Sequence, residues 1–359
     1  MPDILALTIR PIEGPDTRYR ILEYIPYFEK AGITVTHRGL LSSAFYQRQN
    51  AGKLNLLDCT RFGWYAVKRL AELMRVRKYD AIWLSREAFP LGPPFLEFVM
   101  FKLGVPVILD IDDALFQPDS CNGFLNNYCR SFRKFQYIAP RCAAIVVGSN
   151  YLKSYFSRFS GNIAVIPTCV DHLKYLHVVN SPSPDGVVRI GWIGTPTNAG
   201  HLEIVHKPLV RLMEKYNVEL RLVGLNQAPR WNTDRISLEA WSLAKELDFF
   251  SRFDIGIMPL EDTPFSRGKC AFKMIQYMAA GIPVVASPVG ANVDALEQGK
   301  QGYLADSDDA WETALEKLIL DQALRRRMGA DGRAWVADHF SFESRWRQYS
   351  DLFLEVAKK

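Results

Sequence analysis

DIGIMPLEDTPFSRGKCAFKMIQYMAAGIPVVAS, residues 254–287, decides the fold class. An apolar run, DIGIMPL, is followed by the polar loop EDTPFSRGK and by CAFKMIQYMAAG, a segment of helical period that Gly281 closes as a C-cap. A second continuous apolar run, IPVVAS, comes next. Strands without hydrophobic alternation, joined by a helix, belong to a parallel sheet covered on both faces. Lys269 and Lys273 stand four apart and stack on one face if both are helical, with Gln276 and Tyr277 on the next turn. Helix dipoles favour cations at the opposite end. Arg267, Lys269 and Lys273 at this start therefore point to a bound anion such as a diphosphate, against the alternative of a solvated basic turn.

The same alternation runs outward in both directions. ILALTI, ITVTH, DAIWLS, VPVILD, AAIVVGS and NIAVIP read as strands of a first sheet. VVNSPSPDG, 178–186, has the composition of a linker. VVRIGWIG, VELRLVG, ISLEA, DIGIMPL and IPVVAS restart the pattern, with helices expected at 201–216, 242–251 and 270–280 and from 305 to the end. Two sequential doubly wound α/β domains follow, 1–177 and 186–340, with ligands expected at the carboxyl ends of the strands and a cleft between the two domains.

Composition excludes several classes. A chain of 359 residues, 48% hydrophobic and 23% charged with a net charge of +5, is an ordinary globular protein and is not basic enough overall to imply nucleic acid. Six scattered cysteines without a C-x-x-C pair read as reduced thiols and argue against zinc. MPDILALTIRPIEG reads as a first strand and not a leader, and FLEFVMFKLGVPVILD (95–110) is too broken by Glu97, Lys102 and Pro106 to span a bilayer. A cytoplasmic location is the expectation.

Three further stretches carry chemistry. GWIGTPTNAGHLE (191–203) ends a strand in a turn of small residues, where amides around Gly194 and Thr195 can approach an anion, though a plain strand–helix turn fits equally. VPVILDIDDALF (105–116) ends a strand in carboxylates, and Asp112 or Asp113 can receive a hydroxyl proton or cap a helix. WLSRE (83–87) brings Arg86 and Glu87 to the same edge. Between residues 48 and 78, Arg48, Lys53, Arg61, Lys68, Arg69, Arg75, Arg77 and Lys78 face only Asp58 and Glu72, interleaved with Phe62, Trp64, Tyr65, Leu70 and Leu73. With RSFRKFQY (130–137), such a pattern suits an anionic membrane surface or, more plainly, a solvated helix face.

The run KMIQYMAAGIPVVASPVG, followed by GYLA, LRRRMGADGRAWV and FSFESRW, resembles the C-terminal half of a family 4 (group 1) glycosyltransferase of the GT-B fold. IAVIPTCVD (163–171), AAIVVGSNYL and PDTRYRILEYIPYFEKAGI resemble segments of its first domain. The resemblance implies a retaining, metal-independent transferase that uses a nucleotide-diphosphate sugar and a glycan or lipid-linked acceptor, in cell-envelope polysaccharide synthesis. It places the donor in the second domain on Gly194, Thr195, Arg267, Gly268, Lys269, Lys273 and Gln276. The acceptor falls in the first, on Arg18, Arg20, Arg86 and Glu87, with Asp112, Asp113 and Lys269 catalytic. A last helix, 341–359, returns to the first domain.

Departures accompany the likeness. Of the family's two glutamates eight apart, Gly268 and Gln276 hold the positions, so the sugar contact passes to amides near Gly268 or to Glu261 and Asp262. The usual Arg and Lys after the first donor strand are replaced by Thr195 and about Gly200. A catalytically silent protein of the same fold, binding nucleotide sugar or a partner subunit, is the alternative.

Overall fold

The structure is a computed structural model that describes residues 1–50, 53, 56–118, 131–178 and 186–358. Most of the linker expected at 178–186, together with Arg130, Cys121 and Cys129, lies outside the described residues. The chain divides into two compact units: Met1–Cys169 with Gly268–Cys270 and Arg345–Lys359, and Val170–Arg267 with Ala271–Ser344.

Unit 1 holds a six-stranded sheet of β1 (Asp3–Thr8), β2 (Thr34–Gly39), β3 (Ala81–Ser85), β4 (Val107–Ile111), β5 (Ala144–Val147) and β6 (Ile163–Val165), ordered β2-β1-β3-β4-β5-β6. Every pairing is parallel, for example Leu5 with Ile82 and Leu84 with Leu109. β3, β4 and β5 are buried along their whole length, which is why their sequences run apolar without alternation, whereas the edge strand β2 is half-exposed and reads THRG at its end. Trp83 of β3 packs on Tyr349 and Phe353 of the last helix, Phe342–Ala357, with ring centres 5.0 and 5.1 Å away. Inside this core Asp110 of β4 is satisfied from three sides. It pairs with Arg20 at 2.8 Å and accepts hydrogen bonds from Trp83 Nε1 and the Tyr349 hydroxyl.

Unit 2 holds β7 (Val188–Ile193), β8 (Val218–Val223), β9 (Ile236–Glu239), β10 (Ile255–Met258), β11 (Val284–Ala286) and β12 (Gly302–Leu304), ordered β12-β11-β10-β7-β8-β9 and again parallel throughout. Its core stacks Ile190, Leu220 and Ile257 of the sheet against Leu209, Leu212, Leu315 and the fully buried Trp311 of flanking helices. Both units are thus doubly wound and Rossmann-like.

Local structure differs from expectation in two places that bear on function. The segment after β7 is a 3₁₀ helix, Pro196–Val205, and the α-helix begins only at His206. The helix expected from 270 starts at Phe272, because Ala271 takes a left-handed conformation (φ +53°) at its N-cap. Lys269 therefore precedes the helix, and the stacking of Lys269 and Lys273 on one helical face is not formed. Gly281 does end this helix with φ +74°, as a C-cap glycine should.

Candidate functional site

In a doubly wound sheet the chain leaves the first strand in one direction and later returns to its other side, which opens a crevice at the carboxyl ends of those two strands. Unit 1 has that point between β1 and β3, and unit 2 between β7 and β10.

Unit 1 fills its crevice with charge. Arg86, the residue after β3, has φ +67°, a left-handed conformation that a non-glycine residue adopts only when its surroundings hold it there. Three carboxylates do so. Arg86 Nε and Nη2 donate to Asp112 at 2.8 Å each, Nη2 donates to Asp113 at 2.7 Å, and Nε lies 3.2 Å from Asp16. Arg10 reaches Asp16 at 3.2 Å from the rim. Burial works against the Arg86 charge, yet Asp112, Asp16 and Asp113 together keep its pKa well above the usual value. The two adjacent carboxyls separate in consequence. Burial pushes Asp112 up, but the bidentate Arg86 overrides it and holds the group below the ordinary carboxylate range. Burial and the neighbouring Asp112 charge raise Asp113, against Arg86 and Lys269. A pair of carboxyls driven apart in this way supplies one fixed anion and one group able to take up a proton.

The loop Gly268–Cys270 belongs to this unit. The Cys270 thiol donates to the Asp112 carbonyl oxygen at 2.7 Å. A Cβ at Gly268 would stand 2.3 Å from Ala114 Cβ and 2.7 Å from its amide nitrogen, so no side chain fits where the resemblance expects a glutamate.

Two sequence assignments are corrected here. Arg20 is only 1% exposed and commits its guanidinium to Asp110 and the Ile166 carbonyl, which makes it a core residue unable to meet an acceptor. Glu87 turns away from Arg86 and pairs inside the unit with Lys134 at 3.2 Å, as alternate residues beyond a strand end do. Arg18 is buried as well, its guanidinium 4.5 Å from the centre of the Tyr19 ring. Asp16 and Arg10 were missed from the sequence, although an acid in the first turn after Gly14-Pro15 is a recognisable helix-start signal.

In unit 2 the turn at the crevice, Gly194–Gly200, carries no charged side chain. Gly194 follows β7 with its amide donating to the Val223 carbonyl, and the exposed Thr195 hydroxyl accepts from Asn198 Nδ2 at 3.1 Å. His201 Nδ1 accepts from the amide of Glu261, which tethers this turn to the loop after β10. A cavity of about 510 Å³ opens beside it, lined among others by Pro196, Gly200, Glu203, Asn226 and Gln227. Arg267, at the end of the β10 loop, forms a bidentate pair with Asp262 at 2.6 and 2.9 Å. Gln276 is fully buried: its amide nitrogen donates to the Tyr175 hydroxyl (2.8 Å) and to Glu246 (3.3 Å), and its oxygen accepts from Lys273 Nζ at 3.0 Å. Among the described residues no cluster of three or more His, Cys, Asp or Glu is arranged to hold a metal ion.

Residues 187–321 match the family described as Glycosyl transferases group 1. The matched segment covers 135 of the chain's 359 residues, most of them in unit 2. Among curated proteins, the chain is similar to the capsular polysaccharide biosynthesis glycosyltransferase CapM of Staphylococcus aureus (21% identity over 184 residues, 47% of each chain). It is similar also to D-inositol 3-phosphate glycosyltransferase of Corynebacterium urealyticum (28% over 172 residues, 47% of this chain and 36% of the relative). The match therefore spans half or less of those relatives. Among solved structures, a glycosyltransferase from Rickettsia africae ESF-5 superposes with a TM-score of 0.69 at 16% identity, covering 100% of this chain and 99% of that one. The Anabaena protein HepE, crystallised with UDP and glucose, does so at 0.68 and 16%, covering 99% and 100%. The matched segment thus lies within a fold shared over the full chain. Its boundaries enclose the turn Gly194–Gly200, Arg267, Lys273 and Gln276.

Proposed function

We propose that this protein transfers a sugar, with retention of anomeric configuration, from a nucleotide diphosphate to a glycan or lipid-linked acceptor in envelope polysaccharide synthesis. The carrying observation is the group 1 domain at 187–321, whose crevice of small residues adjoins an open cavity. In this reading unit 2 takes the donor. Amides around Gly194 and Thr195 approach the diphosphate, and Lys273 neutralises it, held in place by Gln276. Gln276 would have to release one of three partners to touch a ribose, so its role is to position Lys273. Arg267 joins only by leaving Asp262.

Unit 1 takes the acceptor. Its hydroxyl oxygen bonds to the anomeric carbon, the bond from that carbon to the diphosphate oxygen breaks, the hydroxyl proton passes to Asp113, and the nucleoside diphosphate departs. Arg86 and Asp112 hold Asp113 in position, and Lys269 supplies a cation beside it. Lysine side chains perform the charge neutralisation here, so no metal ion is required. The expected setting is the inner face of the cell membrane.

The test is release of nucleoside diphosphate from a panel of nucleotide sugars, with and without a lipid-linked acceptor extract. One donor should be consumed, faster with extract. Binding of nucleotide without release from any donor overturns transfer and leaves a silent binding protein, the alternative favoured by the closed position at Gly268. Lys273→Ala should weaken nucleoside diphosphate binding roughly tenfold or more and nucleoside binding little. Equal losses for both would remove the diphosphate role.

A further inference from the structure

The loop that leaves β1 holds an arginine firmly in place with most of its donors unused. Arg10 stands two residues beyond the strand, at the crevice of unit 1. Its carbonyl oxygen accepts from the Thr8 hydroxyl at 3.1 Å and from the Thr17 hydroxyl at 2.8 Å, which pins the backbone. The Gly14 amide closes a turn on the Pro11 carbonyl and brings residue 14 against the Arg10 side chain. A Cβ at Gly14 would stand 2.5 Å from Arg10 Cβ and 3.0 Å from its Cδ, so the stem lies in a seat that glycine alone leaves open. Ser43 ties the loop down once more by donating to Glu13 Oε2 at 3.1 Å.

The guanidinium so positioned is poorly neutralised. Among the described residues one of its five N–H donors is engaged, from Nη1 to Asp16 Oδ1 at 3.2 Å, and Asp16 turns its other oxygen to Arg86. The Arg10 side chain is 37% exposed, against 8% for Arg86. Tyr46, on the helix Ser43–Asn50, is near enough to interact electrostatically with Arg10. It is 9% exposed, and its hydroxyl has no hydrogen-bond partner among the described residues. A planar fork and a phenol from separate elements match a ligand group with more than two oxygens, which a phosphoryl group offers and a carboxylate does not.

We infer that Arg10 and Tyr46 form a phosphoryl site at the rim of the unit 1 crevice, filled by a phosphate that the acceptor molecule carries. The Arg10 charge acts on both Asp112 and Asp113, so a phosphate held here and a hydroxyl at Asp113 can belong to one small molecule. The carboxylates of the crevice repel an anionic acceptor, and a cation at the rim offsets that repulsion. A neutral glycan gives Arg10 no comparable task.

The inference rests on unit 1 taking the acceptor, yet its first test needs neither donor nor transfer, so the two readings fail separately. Phenylglyoxal modification of Arg10 in the intact protein, followed by peptide mass mapping, should slow about tenfold when inorganic phosphate reaches about ten times its dissociation constant, with chloride of equal ionic strength as reference. Acetate should protect less. Tyr46→Phe should weaken the protection roughly tenfold, and Gly14→Ala, which keeps the charge but displaces the stem, should remove most of it. Unchanged thermal melting shows that both variants fold. In transfer assays Arg10→Gln should raise KM for a phosphate-bearing acceptor roughly tenfold or more, with kcat and nucleoside diphosphate binding nearly unchanged, and Arg10→Lys should recover part of the loss. No protection by phosphate, equal protection by acetate, or indifference to the Gly14 and Tyr46 changes each overturns the site. Protection of Arg10 by nucleoside diphosphate that disappears in Lys273→Ala would assign the anion to the donor and overturn its assignment to the acceptor.

Discussion

The two units use one topology to opposite electrostatic ends. At its crevice unit 1 locks Arg86 among Asp16, Asp112 and Asp113 in a strained backbone conformation, and backs the cluster with the buried Arg20–Asp110 pair. At the equivalent place unit 2 has Gly194, an exposed Thr195 and a 3₁₀ turn, and the nearby Arg267–Asp262 pair is half in solvent. A preset charge array costs little reorganisation when a proton moves beside it. An uncharged turn of small residues leaves backbone amides for a ligand that brings its own charge.

Removing the proposed proton acceptor breaks the comparison most severely. Asp113→Asn should lower transfer by about 10²–10⁴-fold with donor binding retained. In the intact protein the rate should rise with pH through a pKa above the usual carboxylate value, since Asp113 must be ionised to act. A profile unaltered in Asp113→Asn would dismiss that role. Arg86→Ala comes next. It strands three acidic groups around a buried position and should cost about 3–5 kcal/mol in urea denaturation, against roughly 0.5 kcal/mol or less for Thr195→Ala in unit 2. Arg86→Gly should recover up to about 1 kcal/mol of the Arg86→Ala loss, because glycine accepts the left-handed backbone.

Smaller effects sharpen the contrast. Gln276→Glu, which restores the residue type the resemblance expects, sets a carboxylate against Glu246. Its folded pKa should rise, and the folded state then binds more protons than the unfolded chain, so stability falls as pH rises from acid to neutral. The loss near pH 7 should be about 1–3 kcal/mol relative to the parent. A further effect is that of His37, which burial, Arg69, Arg38 and Lys68 depress from 6.5 to about 4. Here the unfolded chain binds the extra proton, so stability is present above pH 6.5 and declines as pH falls toward 4. His37→Gln should flatten that slope in chemical denaturation at a series of pH values.

Much of this frame is legible in the sequence, for reasons that differ by residue. The six strands of unit 1 are visible because strands such as AIWLS and VILDI are buried on both faces and carry no polar interruption until their ends. β12, three residues at a sheet edge, gives no periodicity to read, and the stretch from 302 to 304 passes for the approach to a helix. The acidic end of β4 reveals Asp112 and Asp113, but not Arg86 as their shared partner, since that contact spans 26 residues. Charge type misleads where burial decides: Arg20 and Glu87 read as surface groups and are interior ones. A left-handed alanine at 271 has no signature in composition, and it alone moves Lys269 off the helix.

The tight seat of Gly268 ties two separate segments of the chain to one another. A point mutation to glutamate would drive a Cβ into the backbone of residue 114, and trimming Ala114 to glycine would still leave the amide nitrogen 2.7 Å away. An exchange with a relative that carries the glutamate must move residues 266–271 and 112–114 as one block, and a library that varies position 268 alone will return only glycine.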